Sequence, residues 1–468
     1  MPVPSPPATD RQLRVLMVSD FFYPNTGGVE SHTYQLSQCL MARGHKVVVL
    51  THAYGDRAGV RYLTNGLKVY YAPRLPFTQA VTFPTLFGCF PLLRSILIRE
   101  GINLVHGHQA FSTMAHEAIM HARTMGYPAV FTDHSLFGFA DASSILVNKV
   151  LKYSLADVHH VICVSHTSKE NTVLRACIPP KRVSVIPNAV DASLFEPRTP
   201  QRQRHADGCA QPDAVTIVAL SRLVYRKGLD LLAAVLPAIC HQHPNVQFLI
   251  GGDGPKRPLL ERVVARHGLE ERVQLVGAVP HEKVRDLLVR GHIFLNCSLT
   301  EAFCMALVEA AAAGLLVVST RVGGVPEVLP ADMLLLAEPS PDGLIAAVSV
   351  ALDRVQQSSA DPWLQHAAVR EMYSWQSIAQ RTERVYRQVL HGDARDDSMV
   401  GRLLRYHQCG KWFGKICCCI TAVDWLYCRW LEWWQPASTF ERAPDFFLPT
   451  SHSMQADRTL ASLCPATL

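Results

Sequence analysis

Two nearly unbroken apolar runs, residues 13–19 (LRVLMVS) and 215–221 (VTIVALS), constrain this chain more than any other feature. A strand with no polar alternation is stable only where both of its faces are covered, as in a parallel sheet sandwiched between helices. Each run is followed by a loop, a segment of helical spacing and a second apolar run. Residues 13–51 therefore read as a β-loop-α-β unit, and the pattern restarts at Val215. A chain of 468 residues also exceeds what one core ordinarily holds. The expected fold class is α/β, with two Rossmann-like doubly wound domains facing a cleft. Their predicted bounds are 13–195 and 214–390, joined by a proline- and arginine-containing polar linker over 196–213.

In the first half, further short apolar strands are expected near residues 69–72, 104–106, 129–132, 161–164 and 183–186. Parallel sheets place chemistry beyond the carboxyl ends of their strands, so the polar residues there are candidates. They are His106 and His108 after one strand and Asp133, His134 and Ser135 after another. Gly27 and Gly28 stand at the mouth of the first helix, where paired glycines allow close backbone approach or a positive φ. Taken alone, the pair is equally compatible with an ordinary turn. The absence of a GxGxxG motif argues against a dinucleotide-binding dehydrogenase.

In the second half, Arg222 and Lys227 occupy one loop after the strand at 215–221. They could neutralise a diphosphate, Arg222 by its planar fork and Lys227 as a point charge. A glycine-rich turn, 251–255 (GGDGP), follows the next strand. Residues 301–309 (EAFCMALVE) then join two carboxylates through a predicted strand-to-helix turn. If Cys304 and Met305 open that helix, their backbone N–H groups sit at its positive end, which suits a phosphate. Eight helical residues would separate Glu301 from Glu309 by about 12 Å. The same spacing would also fit a capped surface helix with two solvated glutamates.

Composition narrows the class. The formal charge of +6, from 45 basic and 39 acidic residues, is too small to indicate nucleic acid. The 14 cysteines are scattered without paired CxxC spacing, which reads as free thiols in a reducing compartment rather than a zinc site. A mean hydropathy of +0.10 makes membrane contact worth considering.

These motifs, in this order over residues 13–390, resemble the GT-B fold, family 4 retaining glycosyltransferases: SRL…KG at Ser221 to Gly228, GGDGP at Gly251, Glu301 and Glu309, GGVPE at Gly323, GGVE at Gly27 and IPNAVD at Ile186. The longer runs 18–24 (VSDFFYP), 131–141 (FTDHSLFGFAD) and 298–304 (SLTEAFC) are similar to the branch that transfers N-acetylglucosamine from UDP-GlcNAc to phosphatidylinositol, starting glycosylphosphatidylinositol anchors. The resemblance implies catalytic roles for His134, Arg222, Lys227 and Glu301. It implies donor binding by Gly27, Gly28, Arg222, Lys227, Glu301, Phe303, Cys304, Met305 and Glu309. Within that scheme Glu309 would hold the ribose and Glu301 the transferred sugar. No cofactor and no metal are expected, in line with the lack of a DxD after a strand. Other subunits of a multisubunit transferase, phosphatidylinositol and the membrane are the implied partners. The implied location is the endoplasmic reticulum membrane, with the catalytic domains facing the cytosol. A different lipid acceptor, or a non-catalytic scaffold keeping the fold, remain the alternatives.

The resemblance also implies a spanning helix after the catalytic body, and the sequence departs from it. Residues 411–435 contain Lys411, Lys415, Asp424, Arg429 and Glu432, too many charges for the roughly 20 apolar residues a span requires. They do carry an apolar stripe of Trp412, Ile416, Cys419, Val423, Leu426, Trp430 and Trp434. A membrane-associated amphipathic segment over 391–435 is expected, with Cys417, Cys418 and Cys419 as candidates for acylation. A helix that docks on another protein of the complex would show the same stripe. Residues 1–12 and 436–468 read as disordered ends.

Overall fold

A computed structural model describes residues 12–78, 80–136, 142–198, 214–357, 361–392 and 395–445. Residues 1–11, 199–213 and 446–468 lie outside these, as does the 137–141 part of the run that carried the resemblance.

The first apolar run forms the strand Arg14–Val18 at the centre of an eight-stranded sheet. Its order is Val183–Val185, His160–Cys163, Ala129–Asp133, Leu104–His108, Arg14–Val18, Lys46–His52, Lys68–Ala72 and Gly59–Tyr62. All neighbours are parallel except the last pair. That edge strand, GVRY, is exposed at all four residues and has no apolar run to announce it. The second run forms Val215–Leu220 within a six-stranded, wholly parallel sheet: Val273–Gly277, Val246–Gly251, Val215–Leu220, Ile293–Asn296, Leu316–Thr320 and Leu334–Ala337. Helices cover both faces of each sheet, so Val15, Leu16, Met17 and Val18 in one and Ile217 and Val218 in the other are fully buried.

After Tyr373 the chain leaves the second lobe and returns to the first. The helix Trp375–His391 buries Trp375, Ile378, Ala379, Val385 and Tyr386 in the same core as Leu36, Leu40 and Met17. Two more helices follow on that lobe, Met399–His407 and Phe413–Trp434. They are held by buried Asp157, which pairs with Arg402 (2.8 Å), Arg405 (2.6 Å), Arg123 (3.4 Å) and Arg395 (3.5 Å). The first lobe, expected over 13–195, is thus completed by residues 375–445. Residues 436–445 belong to the end read as disordered, yet Asp445 pairs with Arg14 and Lys46, each at 2.6 Å.

The helix Phe413–Trp434 packs with its polar side inward. Thr421, Asp424 and Cys417 are fully buried, and Asp424 accepts from Thr124 and pairs with His121 at 2.7 Å. Arg94 holds Glu432. The stripe residues Trp412, Ile416, Val423, Leu426, Trp430 and Trp434 all face outward, from 48% to 73% exposed. Among the described residues no helix is long and apolar enough to cross a membrane.

Candidate active site

The carboxyl ends of the two sheets converge on one cleft. On the second lobe, the loop after Val215–Leu220 carries Arg222 and Lys227 and ends at Gly228. Gly228 has φ 69°, and a Cβ there would lie 1.7 Å from the Cys297 carbonyl oxygen, so only glycine lets this loop press against the strand end that leads to Glu301. Lys227 Nζ donates to Glu301 Oε1, which also accepts from Ser298 Oγ at 2.8 Å. Burial pushes the Lys227 ammonium down, but the Glu301 carboxylate outweighs it and holds the group above its ordinary value. Arg222 is exposed and, among the described residues, forms no ion pair. It remains available to an anion.

Cys304 caps the helix Met305–Ala312 with a left-handed φ of 73°. Glu301 to Phe303 form a turn rather than helix, so the separation of Glu301 and Glu309 does not follow from eight helical steps. Phe303 is buried against Tyr373, their rings 5.5 Å apart, and fixes that turn from beneath. Met305 begins the helix, with its backbone N–H unpaired by any preceding turn. Glu309 lies in the second turn, and burial alone pushes its carboxyl up to about 7.

The Gly323 turn closes over Glu301. Gly323 has φ 51°, and a Cβ on it would come 2.1 Å from the Glu301 carbonyl oxygen; Gly324 N–H donates to that oxygen at 2.9 Å. Beside it, Glu327 reaches across to the first lobe and accepts from the N–H groups of His166 (2.6 Å) and Thr167 (2.9 Å) and from Thr167 Oγ1 (2.7 Å). A carboxylate thus caps the N-terminus of the helix His166–Ala176 from the opposite lobe. This latch was not legible beforehand, because Glu327 and Thr167 are 160 residues apart.

On the first lobe, His134 stands in a cluster with His32, His106 and His108. His108 Nδ1 and His134 Nε2 share a hydrogen bond of 3.3 Å, and the His32 ring lies edge-on to His134 with centroids 4.7 Å apart. Behind them His106 bonds Tyr386 Oη (2.6 Å) and Thr132 Oγ1 (2.7 Å), while Trp375 packs on His32. The returning helix therefore buttresses the cluster. Burial, then the neighbouring imidazoles, push His106, His108 and His134 well below the usual histidine range, and burial lowers His32 to about 4. His134 is a neutral hydrogen-bonding group, not a cation. Ligand nitrogens of His32, His108 and His134 lie within 4.8 Å of one another, a spacing a metal ion could use. His108 and His134 share a hydrogen bond within this group.

Gly27 and Gly28 open the helix Gly28–Ala42 beside this cluster. Gly27 is extended, with φ 178°, and neither glycine adopts the left-handed conformation expected as one option. A Cβ on Gly28 would meet nothing within 4 Å, so the residue leaves the cleft wall open. Glu30, one turn on, is pushed up by burial and pulled back by the positive charge of Arg222 across the cleft. Sequence reasoning singled out neither Glu30 nor Glu327 as a functional residue, although both stood in the quoted motifs.

Two Rossmann-like lobes with a cationic loop, a carboxylate and a neutral histidine facing one cleft define a glycosyltransferase of GT-B architecture. The "Glycosyl transferases group 1" model matches residues 214–354 and the "PIGA (GPI anchor biosynthesis)" model residues 52–141. The chain is 56% identical over 437 residues to an Arabidopsis thaliana subunit of phosphatidylinositol N-acetylglucosaminyltransferase, covering 93% of this chain and 95% of the relative. It is 52% identical to the corresponding subunit of the Homo sapiens transferase, covering 93% and 88%. The chain belongs to the PIGA family of phosphatidylinositol N-acetylglucosaminyltransferase subunits. Its fold is shared with a sucrose-phosphate synthase from Thermosynechococcus elongatus (TM-score 0.66, 22% identity, 81% of this chain and 99% of that one). It is shared also with Anabaena HepE in complex with UDP (TM-score 0.62, 17% identity, 80% and 99%).

Proposed function

We propose that this chain transfers N-acetylglucosamine from UDP-GlcNAc to an inositol hydroxyl of phosphatidylinositol, with retention at the anomeric carbon, as the catalytic member of a multisubunit complex. The observation that carries the chemistry is the Lys227–Glu301 pair in the same loop region as Arg222, which forms no ion pair among the described residues. Arg222 and Lys227 stabilise the negative charge that grows on the diphosphate as the sugar C1–O bond breaks. Glu301, already oriented by Lys227 and Ser298, accepts hydrogen bonds from hydroxyls of the transferred sugar. The backbone N–H groups of Cys304 and Met305 face its phosphate. Phe303 supports that turn, and Glu309 accepts from the ribose hydroxyls. His134 donates or accepts a hydrogen bond at the reacting sugar. The acceptor proton passes to the departing phosphate oxygen while its oxygen bonds C1 on the same face.

The outward stripe of the helix Phe413–Trp434 supports membrane association; the location we propose is the cytosolic face of the endoplasmic reticulum. The helix buries Asp424 and Thr421 and leaves tryptophans and aliphatics uncovered, the reverse of a helix stabilised by water. Of the three adjacent cysteines, Cys417 is buried and Cys418 half-buried, which leaves Cys419 on the exposed stripe for acylation.

Donor and acceptor profiling of membranes carrying this chain with its partner proteins tests the reading. Consumption of UDP-GlcNAc that depends on phosphatidylinositol is the expected result. Strong turnover of GDP-mannose with none of UDP-GlcNAc would overturn it.

A further inference from the structure

A cavity of about 1040 Å³ lies on the first lobe and not between the sheets. Its walls are the loop at Tyr23 to Thr26, the start of the helix Gly28–Ala42, and the segment leading into the edge strand Gly59–Tyr62. Two guanidiniums, Arg57 and Arg61, project along one side, and among the described residues neither is in an ion pair. Arg57 is held in place by aromatic faces: its carbon lies 5.0 Å from the Tyr23 ring centroid and 6.0 Å from that of Tyr71. Stacking of this kind fixes a guanidinium without neutralising it. Glu30 and Tyr34 line the same cavity and offer an acceptor and a hydroxyl suited to a polyol. Asp56 completes the charged lining.

We propose that this cavity is the acceptor-headgroup site, Arg57 and Arg61 binding the phosphodiester of a phosphoinositide-type lipid and Glu30 and Tyr34 orienting its polyol ring. The assignment rests on the function proposed above. It deepens that function by naming the groups that select the acceptor. A phosphodiester carries one negative charge and two free oxygens, which two cations on one wall match, and charge-assisted hydrogen bonds to such a group are the strong ones. The polyol carries hydroxyls and no charge, which Glu30 and Tyr34 match. A 1040 Å³ cavity is large for a sugar-sized ring alone and leaves space for the glycerol that joins headgroup to membrane.

Full complex in native membranes, supplied with UDP-GlcNAc and vesicles of graded phosphatidylinositol content, gives the test. Arg61→Glu lies on an exposed edge strand and should fold normally; Arg57→Ala loses its stacking as well, and Arg57→Lys keeps charge without the fork. Each of Arg61→Glu and Arg57→Ala should raise the KM for phosphatidylinositol by about tenfold or more, the size expected for one charge-assisted hydrogen bond. The KM for UDP-GlcNAc should stay unchanged, and Arg57→Lys should recover part of the loss. Glycerophosphoinositol should compete with the lipid, and free inositol or inorganic phosphate at the same concentration should not. An unchanged acceptor KM in both Arg61→Glu and Arg57→Ala overturns the assignment. So does competition by inorganic phosphate equal to that by glycerophosphoinositol, which would make this a plain anion site. Use of a different sugar nucleotide by the wild type would refute the donor assignment above, while the acceptor KM measured with that nucleotide would still decide the role of Arg57 and Arg61.

Discussion

Lys227 and Glu301 are joined in an ion pair although 74 residues separate them in the chain. The pair ties the cationic loop of one strand to the carboxylate turn of another, so each orients the other before any donor arrives. A preorganised cation spends less free energy on reorganisation when charge develops on a leaving group. Lys227→Ala should therefore lower kcat by at least about a hundred-fold, the loss typical of one such stabilising group, with an unchanged far-UV spectrum. Glu301 keeps its Ser298 hydrogen bond in that variant, so folding should survive. Full activity would place the diphosphate elsewhere.

Glu309 supplies a pH dependence. Its folded pKa of about 7 lies above the ordinary value of 4.5, because burial disfavours the charged form. An acid shifted upward stabilises the fold most below its unfolded pKa and loses that contribution as pH rises through about 7. Glu309→Gln should consequently raise the melting temperature at pH 8, removing a cost on the order of 1–3 kcal/mol. If ribose binding needs the carboxylate, the donor KM of the wild type should fall between pH 6 and pH 8 while that of the variant stays flat. Parallel pH profiles would remove Glu309 from the donor site.

Glu327 should control how the lobes hold together. Burial raises its carboxyl, but the hydrogen bonds from Thr167 and His166 outweigh that and keep it below the usual range. Its contribution is present above the unfolded pKa and fades as pH falls through the depressed one. In Glu327→Ala, amide exchange at His166 and Thr167 should accelerate and the donor KM should rise several-fold. Unchanged exchange at those two amides would show that the latch carries no closure.

The outward stripe is best probed by surface change, since deletion after Leu390 would also strip His121 of Asp424 and Asp157 of Arg402 and Arg405. Leu426→Glu combined with Trp430→Glu alters only exposed positions. Liposome affinity of the complex, read by co-sedimentation, should drop about a hundred-fold or more, the cost of withdrawing two apolar side chains at about 1.5–3 kcal/mol each, with thermal stability retained. Undiminished binding would assign the stripe to a protein partner instead.

The strands were legible because both sheets are parallel and covered on both faces, which leaves unbroken apolar runs such as 215–220. The edge strand Gly59–Tyr62 was not, since all four residues are exposed and its pairing comes from Lys68–Ala72 rather than from pattern. In the site, Arg222, Lys227, Glu301 and Glu309 were identifiable from motif spacing, and the structure brings Lys227 and Glu301 into contact. What spacing could not show was partnership across the chain: Glu327 with Thr167, Tyr386 with His106, Asp424 with His121. The apolar stripe of residues 412–434 was also visible, but not that its polar side would be buried, because the groups satisfying Asp424 come from a helix about three hundred residues earlier.

Because the chain returns after Tyr373 to finish the lobe it began with, the second lobe is inserted within the first. Vectorial synthesis then reverses the expected order of completion. The second lobe, contiguous from Val215 to Tyr373, has all its strands as soon as it emerges, whereas the first-made sheet lacks Trp375, Tyr386 and two partners of Asp157, Arg402 and Arg405, until the chain has returned. An early stop or frameshift near the 3′ end of the message would thus spare the second lobe and cripple the half that begins at the N-terminus.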